Sequence, residues 1–213
     1  GEGSVTHWVR DVQGRVTEKR FADGTKQRYS YYPQSGQLHT SMDALNQIAA
    51  YSYFVDGNLQ SIDYNAANTP DESFTYDPFY DRMATMNDGI GTTTLAYHPD
   101  DGTTLGAGRL ARVDGPLPDD TLIYVYDELA RLKTRQIVDD ATYSIASYTE
   151  TATFDARGRV DDLTNNLGLF DYSYVGHSNR IDAVDYPNGI RTEYDYFPAN
   201  TDHLLKQIKH LNA

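Results

Sequence analysis

The chain has 213 residues, no cysteine, a formal net charge of −13 and a pI near 4.7. Its 18 tyrosines and 16 glycines, beside seven phenylalanines and one tryptophan, favour strands and turns over helices, so an all-β fold is expected. The acidic charge argues against nucleic acid as a partner, because phosphate binding needs clustered Lys and Arg. Disulfides and thiolate ligands are excluded, and neither a membrane span nor a signal peptide is predicted in this chain.

The chain begins with a segment unlike the rest. Gly1 to Ser4 has the composition of a cloning scar or linker, so residues 1–6 are set apart from a predicted β-sheet repeat domain at 7–213. From residue 7 onward one pattern recurs in about nine copies. Each copy has an aromatic-x-aromatic strand end, a polar turn and then Gly-Arg-aliphatic. Successive copies lie 20 to 29 residues apart, which is the length of one β-hairpin with its connection.

The repeat signature defines the candidate site residues, which are predicted to be structural; no catalytic residue, cofactor-binding residue or metal ligand is predicted. In chain order the signature comprises Tyr29, Tyr31, Gly36, Leu38, Tyr51, Tyr53, Gly57, Leu59, Tyr76, Asp77, Tyr97, Gly108, Arg109, Leu110, Tyr124, Tyr126, Asp127, Arg131, Leu132, Phe154, Asp155, Gly158, Arg159, Val160, Tyr172, Tyr174, Arg180 and Ile181.

The stretch "IYVYDELARLKTRQI" at 123–137 permits two interpretations. Its second half contains strong helix formers behind a capping Asp127, whereas its first half alternates like a strand. In the alignment Ala130 occupies a position that is glycine in five other copies. Glycine there indicates a left-handed residue that closes a hairpin turn. The sequence therefore predicts a hairpin with Ala130 in a strained conformation, and Asp127 accepting a backbone N–H within the turn.

Turn signals also separate the copies. Asp-Gly or Asn-Gly pairs, which supply positive φ angles to tight hairpins, occur at Asp23-Gly24, Asp88-Gly89, Asp114-Gly115 and Asn188-Gly189. About 18 strands are expected, and because open sheets rarely exceed about ten strands without curling, a curved strip is predicted. Aromatic rings two residues apart share a face and are expected to form ladders. Pairs such as Leu59 and Ile62 leave open whether both faces are covered or a bulge intervenes.

Chemical sites receive weak support. The acidic pairs Asp100-Asp101, Asp119-Asp120, Asp139-Asp140 and Asp161-Asp162 fall mostly at turn signals and are interpreted as solvated residues rather than as calcium or catalytic sites. The six histidines have no metal-ligand spacing. Insertions at 65–73, 100–107 and 139–149 lengthen connections where a binding function could reside.

With this frame assembled, the sequence resembles the Rhs, or YD-repeat, family along roughly residues 8–208. The resemblance is carried above all by "ATFDARGRVDDLTNNLG" (152–168), "VDGPLPDDTLIYVYDELARL" (113–132) and "AVDYPNGIRTEYDYF" (183–197). It implies a β-sheet strip that spirals into a hollow shell, which in the family's toxins encloses an effector. The family's self-cleaving core with paired Asp-Pro segments has no counterpart here, since Asp77-Pro78 is the one Asp-Pro and lies in an ordinary repeat turn.

The predicted function is a non-enzymatic repeat module in a shell or scaffold; the alternative is a cell-surface adhesion or carbohydrate-binding module. By resemblance, the expected partners are neighbouring repeats or an enclosed effector, and the expected location is secreted or at the cell surface. A glycan is a further candidate partner, and no cofactor is expected. Exposed edge strands of such a strip favour edge-to-edge self-association.

Overall fold

A computed structural model describes residues 4–138 and 148–212, so the Asp139-Asp140 pair and most of the third insertion lie outside the described residues. Regular structure in the described residues consists of 18 strands and a 3-10 helix, Ala199–Thr201. The strands are β1 His7–Arg10, β2 Val16–Arg20, β3 Lys26–Tyr31, β4 Leu38–Met42, β5 Ile48–Tyr53, β6 Leu59–Tyr64, β7 Glu72–Tyr76, β8 Met83–Asn87, β9 Thr92–Tyr97, β10 Leu110–Asp114, β11 Thr121–Tyr126, β12 Leu132–Val138, β13 Tyr148–Phe154, β14 Val160–Asn165, β15 Gly168–Tyr174, β16 Ile181–Asp185, β17 Ile190–Tyr196 and β18 Leu205–Asn212. The predicted all-β class is confirmed.

The chain divides into two compact units, with the boundary between Thr94 and Leu95 inside β9. In the first unit every strand pairs antiparallel with the strand before it, from β2 on β1 to β9 on β8. In the second unit β9 pairs with β10, and the same succession continues to β18. Each unit is therefore a meander of hairpins, and the predicted hairpin repeat is confirmed. The division at residue 7 stays a prediction.

The stretch at 123–137 is a hairpin, as predicted. Tyr126 ends β11 and Leu132 begins β12, and the two residues are cross-strand partners. Ala130 has φ of 58° and donates its N–H to the carbonyl of Asp127 at 2.9 Å. The helical composition of the turn is overridden because the aligned positions on either side pair as strands.

A bulge resolves the question left open by apolar residues three apart. Tyr51 lies opposite Ile62, but Tyr53 lies opposite Leu59, so the register shifts and Gln60 is the extra residue. Opposite residues share a face, and Tyr51 and Tyr53 are on one face because they are two apart. Leu59 and Ile62 therefore join the tyrosines on that face. The same shift occurs immediately before Tyr31, Tyr76, Tyr126, Tyr174 and Tyr196, and between Ala152 and Phe154.

The sheet consequently has two chemically distinct faces. The aromatic face carries the paired rings and the aliphatic residues, most of them half-buried. The opposite, hydroxyl face carries the residue between the two rings and its cross-strand partner, often Ser or Thr. Hydroxyl oxygens meet across strands in Ser30–Thr40 at 2.6 Å, Ser52–Ser61 at 2.8 Å, Thr75–Thr85 at 2.6 Å and Thr134–Thr151 at 3.3 Å. Both faces thus stabilise strand pairing in different ways.

Few side chains are fully buried. Among the described residues the buried apolar side chains are Phe74, Ala183 and Val184, and all three belong to strands rather than to a layer packed over the sheet. Because little apolar area is removed from water in this way, contacts between successive hairpins must supply much of the stability.

Candidate functional site

The turn between β11 and β12 shows how the signature residues interact. Asp127 Oδ1 accepts hydrogen bonds from the backbone N–H of Leu129 and of Arg131, each at 2.9 Å. Asp127 Oδ2 accepts from the Nε and Nη2 atoms of Arg131, each at 2.6 Å. Burial opposes ionisation of this carboxyl, but the hydrogen bonds from Arg131 and Leu129 outweigh burial and lower the pKa of Asp127. One carboxylate oxygen thus holds the turn backbone and the other holds the guanidinium, so Asp127 fixes the turn and the direction of Arg131 together.

Three further turns repeat this geometry. The four Asp–Arg turns are Asp11–Arg15, Asp77–Arg82, Asp127–Arg131 and Asp155–Arg159, and the Nη2–Oδ2 distances of the other three are 2.7, 2.9 and 2.6 Å. At Asp11 and Asp155 burial again opposes ionisation, but the arginine hydrogen bonds prevail and the pKa is lowered. At Asp77 the backbone N–H of Phe79 lowers the pKa most, followed by Arg82.

In three of these turns the guanidinium also reaches the next hairpin, and in the fourth Arg82 lies over the ring of Tyr80 in its own turn at 4.4 Å. Arg131 lies over the ring of Phe154 at 4.0 Å, Arg159 over Tyr174 at 4.2 Å and Arg15 over Tyr31 at 4.5 Å. Arg109 and Arg180 make longer contacts of the same kind with Tyr126 and Tyr196, at 5.6 and 5.5 Å. Such contacts between a cation and a ring stabilise by about 0.5–1 kcal/mol at exposed sites. These five arginines thereby join their own turns to the second aromatic residue of the following repeat.

The tyrosine hydroxyl completes the connection. Tyr174 donates to the carbonyl of Val160 at 2.7 Å, and Val160 directly follows Arg159. The same bond from a tyrosine hydroxyl to a backbone carbonyl joins Tyr31 to Val16 at 2.7 Å, Tyr126 to Leu110 at 3.0 Å and Tyr196 to Ile181 at 2.9 Å. The hydroxyl satisfies a carbonyl at the position where the bulge disturbs the strand pairing.

Three of the repeats without an Asp carry a ring in its place. Tyr32 meets Tyr53 edge to face at 6.2 Å, and Phe54 meets Tyr76 at 6.1 Å. His98 meets Tyr126 at 5.6 Å, so this ring contacts both His98 and Arg109. Edge-to-face pairs contribute roughly 0.5–1.5 kcal/mol beyond burial. Two chemistries therefore couple neighbouring repeats through the same aromatic position.

The structure places the signature residues at equivalent points of successive hairpins. The second aromatic residue ends its strand at Tyr31, Tyr53, Tyr76, Tyr97, Tyr126, Phe154 and Tyr174, and the aliphatic residue begins the next strand at Leu38, Leu59, Leu110, Leu132, Val160 and Ile181. The first aromatic residues Tyr29, Tyr51, Tyr124 and Tyr172 lie two positions earlier in the same strands. The turn glycines Gly36, Gly57, Gly108 and Gly158 have φ between 73° and 95°.

Sequence reasoning missed two features of these turns. It assigned the aspartates a backbone hydrogen bond but did not pair them with arginine, and it gave the hydroxyl face no role. The signal for the first was present, because an Arg follows the Asp by four residues in three turns and by five in the other. The signal for the second was the frequency of Ser and Thr between the two rings.

The other candidate groups lie apart from one another. No group of three or more His, Cys, Asp or Glu in residues 4–138 and 148–212 could hold a metal ion. Asp101 accepts hydrogen bonds from Thr103 and Thr104, which lower its pKa well below the usual range. Burial, with Asp162 and Asp185 beside it, raises the pKa of Asp171. No helix in the described part of the chain is long and apolar enough to span a bilayer.

Comparison with known structures identifies the fold. The crystal structure of TcdB2-TccC3-TEV matches 97% of this chain with a TM-score of 0.74 and 15% identity. The fold is that of the Rhs, or YD-repeat, proteins. This chain spans 11% of the length of the matched TcdB2-TccC3-TEV chain. No protein-family model matches, and no curated protein matches significantly.

Two other solved structures match this chain less well. TcdB2-TccC3-Cdc42 and the Tc holotoxin pore of Photorhabdus luminescens each match 96% of it, with 16% and 15% identity. This chain covers 14% and 11% of those chains, with TM-scores of 0.49 and 0.46.

Proposed function

We propose that this chain is a non-enzymatic structural module that forms part of a β-sheet wall, in a protein whose shell encloses an effector. The observation that carries the proposal is the coupling of seven hairpins to the next through one aromatic position, by guanidinium stacking or by an edge-to-face ring. A wall one sheet thick lacks a second layer to hold it, so rigidity must come from such lateral contacts.

The signature residues have defined roles in this proposal. The aspartates fix the turns and orient the arginine side chains. The guanidinium groups of those arginines then stack on the aromatic rings of the next repeat. The expected partners are neighbouring repeats of the parent protein and the enclosed segment, and the expected location is outside the cell or at its surface. Self-association through exposed strand edges belongs to the same proposal and is tested by light scattering over a range of protein concentrations, where constant monomer mass would contradict it.

The proposed wall function is tested by limited proteolysis of the natural gene product that contains this chain, which measures how well the enclosed segment is protected from digestion. Wild-type protein is expected to protect the enclosed segment, and the double variant Arg131→Gln, Arg159→Gln is expected to expose it because two successive hairpin contacts are lost. Arg20→Gln, Arg112→Gln is the matched control, since it removes the same charge from exposed strand arginines that pair within their own strand and lie outside the Asp–Arg turns. Equal digestion of the segment in wild type and double variant would contradict the proposed function.

A further inference from the structure

The one tryptophan of the chain stands out on the aromatic face. Trp8 in β1 is 55% exposed, and no ring among the described residues stacks on it or meets it edge to face. Tyr31, by comparison, receives Arg15 on its ring and donates its hydroxyl to Val16. The indole therefore offers a flat apolar surface that the ring-to-ring coupling of the repeats does not use.

Strand register brings a cation beside this ring. Trp8 lies opposite Lys19, and Lys19 lies opposite Gln27 in β3, so the three side chains share the aromatic face. Tyr29, two residues from Gln27, is on the same face and donates its hydroxyl to the Gln27 amide oxygen at 3.2 Å. A cavity of about 250 Å³ is lined by Trp8, Val16, Lys19, Tyr29 and Tyr31.

The second repeat ring is replaced here by another cation. Arg10 occupies the position that is the second aromatic residue in the other repeats, and its guanidinium donates to the Gly14 carbonyl at 2.7 Å. Among the described residues neither Arg10 nor Lys19 forms an ion pair with a carboxylate. Lys19 Nζ instead lies 4.7 Å from the centre of the Phe21 ring. Lys19, which has no carboxylate partner, therefore lies opposite the exposed indole, and Arg10 lies two residues along the same strand.

The net charge of the first three strands is positive, opposite in sign to that of the whole chain. Residues 5–31 contain six Lys and Arg against three Asp and Glu, whereas the complete chain carries −13. The residues on the hydroxyl face of these strands already neutralise one another in part, since Arg20 and Arg28 both pair with Glu18. Both faces of these strands are therefore positive: Arg20, Lys26 and Arg28 share the hydroxyl face with Glu18 alone. On the aromatic face, beside Trp8, the strand cations Arg10 and Lys19 face no carboxylate of these strands.

We propose that the aromatic face of β1–β3 is a binding site for a single carboxylated sugar residue, which stacks on Trp8 and places its carboxylate against Lys19. The indole supplies the apolar platform, Lys19 the charge, and Gln27 and Tyr29 the hydroxyl contacts. The cavity is small, which suits one ring rather than a chain of them. A polyanion such as nucleic acid is disfavoured, because every additional charged group would face the acidic remainder of the molecule.

Because Trp8 is the only tryptophan, its intrinsic fluorescence reports on the site directly. The probes are methyl β-glucuronide and methyl β-glucoside, which differ in the carboxylate. The glucuronide is expected to change the emission saturably with Kd on the order of 1 mM, and the glucoside to bind more weakly. Inorganic phosphate and oligothymidylate are titrated in parallel to separate a simple anion site and a nucleic-acid site from a sugar site.

Two variants test the assigned residues. Lys19→Gln is expected to weaken glucuronide binding about threefold, the effect of losing an ion pair at a partly exposed site. Lys26→Gln, an equal charge change on the hydroxyl face, is expected to leave binding unchanged. Trp8→Ala, followed by saturation-transfer NMR with circular dichroism as the folding check, is expected to abolish it.

Several results would overturn the inference. They are the absence of a saturable signal up to about 50 mM glucuronide, equal binding of glucuronide and glucoside, equal effects of Lys19→Gln and Lys26→Gln, and stronger binding of phosphate or oligothymidylate than of the glucuronide. None of these results bears on the proposed wall, which rests on contacts between hairpins rather than on Trp8.

Discussion

Ala130 carries the clearest residue-scale strain in the repeat. Its φ of 58° matches the conformation that glycine adopts in the aligned turns, and an L-residue with a side chain is disfavoured there by roughly 1–2 kcal/mol. Ala130→Gly removes that cost, although added freedom of the unfolded chain offsets part of the gain. The free energy of unfolding, measured in urea, is expected to rise by about 0.5–1 kcal/mol.

Ala152→Gly is the control for this prediction, because the same substitution is expected there to lower the free energy of unfolding. Ala152 lies inside β13, where loss of a side chain weakens a strand, so stability is expected to fall. A loss of stability in Ala130→Gly as well would mean that the left-handed turn is wrong at this repeat.

Val175 occupies the Asp position of a turn that retains its arginine. The N–H of Val175 donates to the carbonyl of Arg180 at 2.9 Å, as Asp77 does to Arg82, and both pairs are five residues apart. The Nε atom of Arg180 is buried without a hydrogen-bond partner in the described structure. Val175→Asp supplies the missing acceptor and is expected to raise the free energy of unfolding by about 1 kcal/mol.

Two control substitutions separate the effect of the new carboxylate acceptor from other effects of Val175→Asp. Val12→Asp alters charge at a fully exposed turn residue and is expected to have little effect. Val175→Asn retains the shape without the full charge and is expected to gain less than Val175→Asp. If Val175→Asp lowers stability in urea titrations, Arg180 does not donate to a carboxylate in this turn.

At the scale of an element, the insertion at 100–107 packs against Tyr126 through Gly106. Gly102 and Gly106 have φ of 74° and 75°, but a Cβ on Gly106 would lie 2.4 Å from the ring of Tyr126, whereas one on Gly102 would meet nothing within 4 Å. Both Ala variants bear the left-handed strain of roughly 1–2 kcal/mol. Gly106→Ala is expected to lose about 1–3 kcal/mol more, because Tyr126 must shift.

Urea unfolding of the two variants side by side checks this difference. Movement of Tyr126 would also lengthen its bond to the Leu110 carbonyl, so hydrogen exchange in β10 is expected to quicken for Gly106→Ala alone. Equal losses in the two variants would show that the insertion does not pack on Tyr126.

The sequence was sufficient for the hairpin frame but not for the contacts that couple the hairpins. Alignment of repeats placed Ala130 in a glycine position, because turn geometry constrains residue type strongly. The bulge after Leu59 was left undecided, since spacing alone is compatible with two covered faces. The stacking of Arg131 on Phe154 was missed because it joins residues 23 positions apart, and nothing local to either residue specifies that distance.

At the scale of the molecule, the four Asp–Arg turns make the free energy of unfolding depend on pH. Hydrogen bonds from the arginines and turn amides hold the pKa of Asp11, Asp77, Asp127 and Asp155 below its ordinary value. A carboxyl with a lowered folded pKa stabilises the fold above its unfolded pKa of about 3.9, and this contribution is lost as pH falls through the folded value. Stability from these turns is therefore expected to be constant near neutrality and to decline below about pH 4.

The double variant Asp127→Asn, Asp155→Asn isolates this contribution, because an amide oxygen can still accept the turn N–H while the ion pair is gone. Unfolding in urea at pH 7 is expected to show the variant less stable than wild type, and at pH 3 the difference is expected to shrink, since wild type is then losing the same charges. Asp182→Asn, at an exposed bulge residue outside these turns, is the matched control and should track wild type at both pH values. A stability difference that stays constant from pH 7 to pH 3 would mean that the Asp–Arg pairs do not couple protonation to folding.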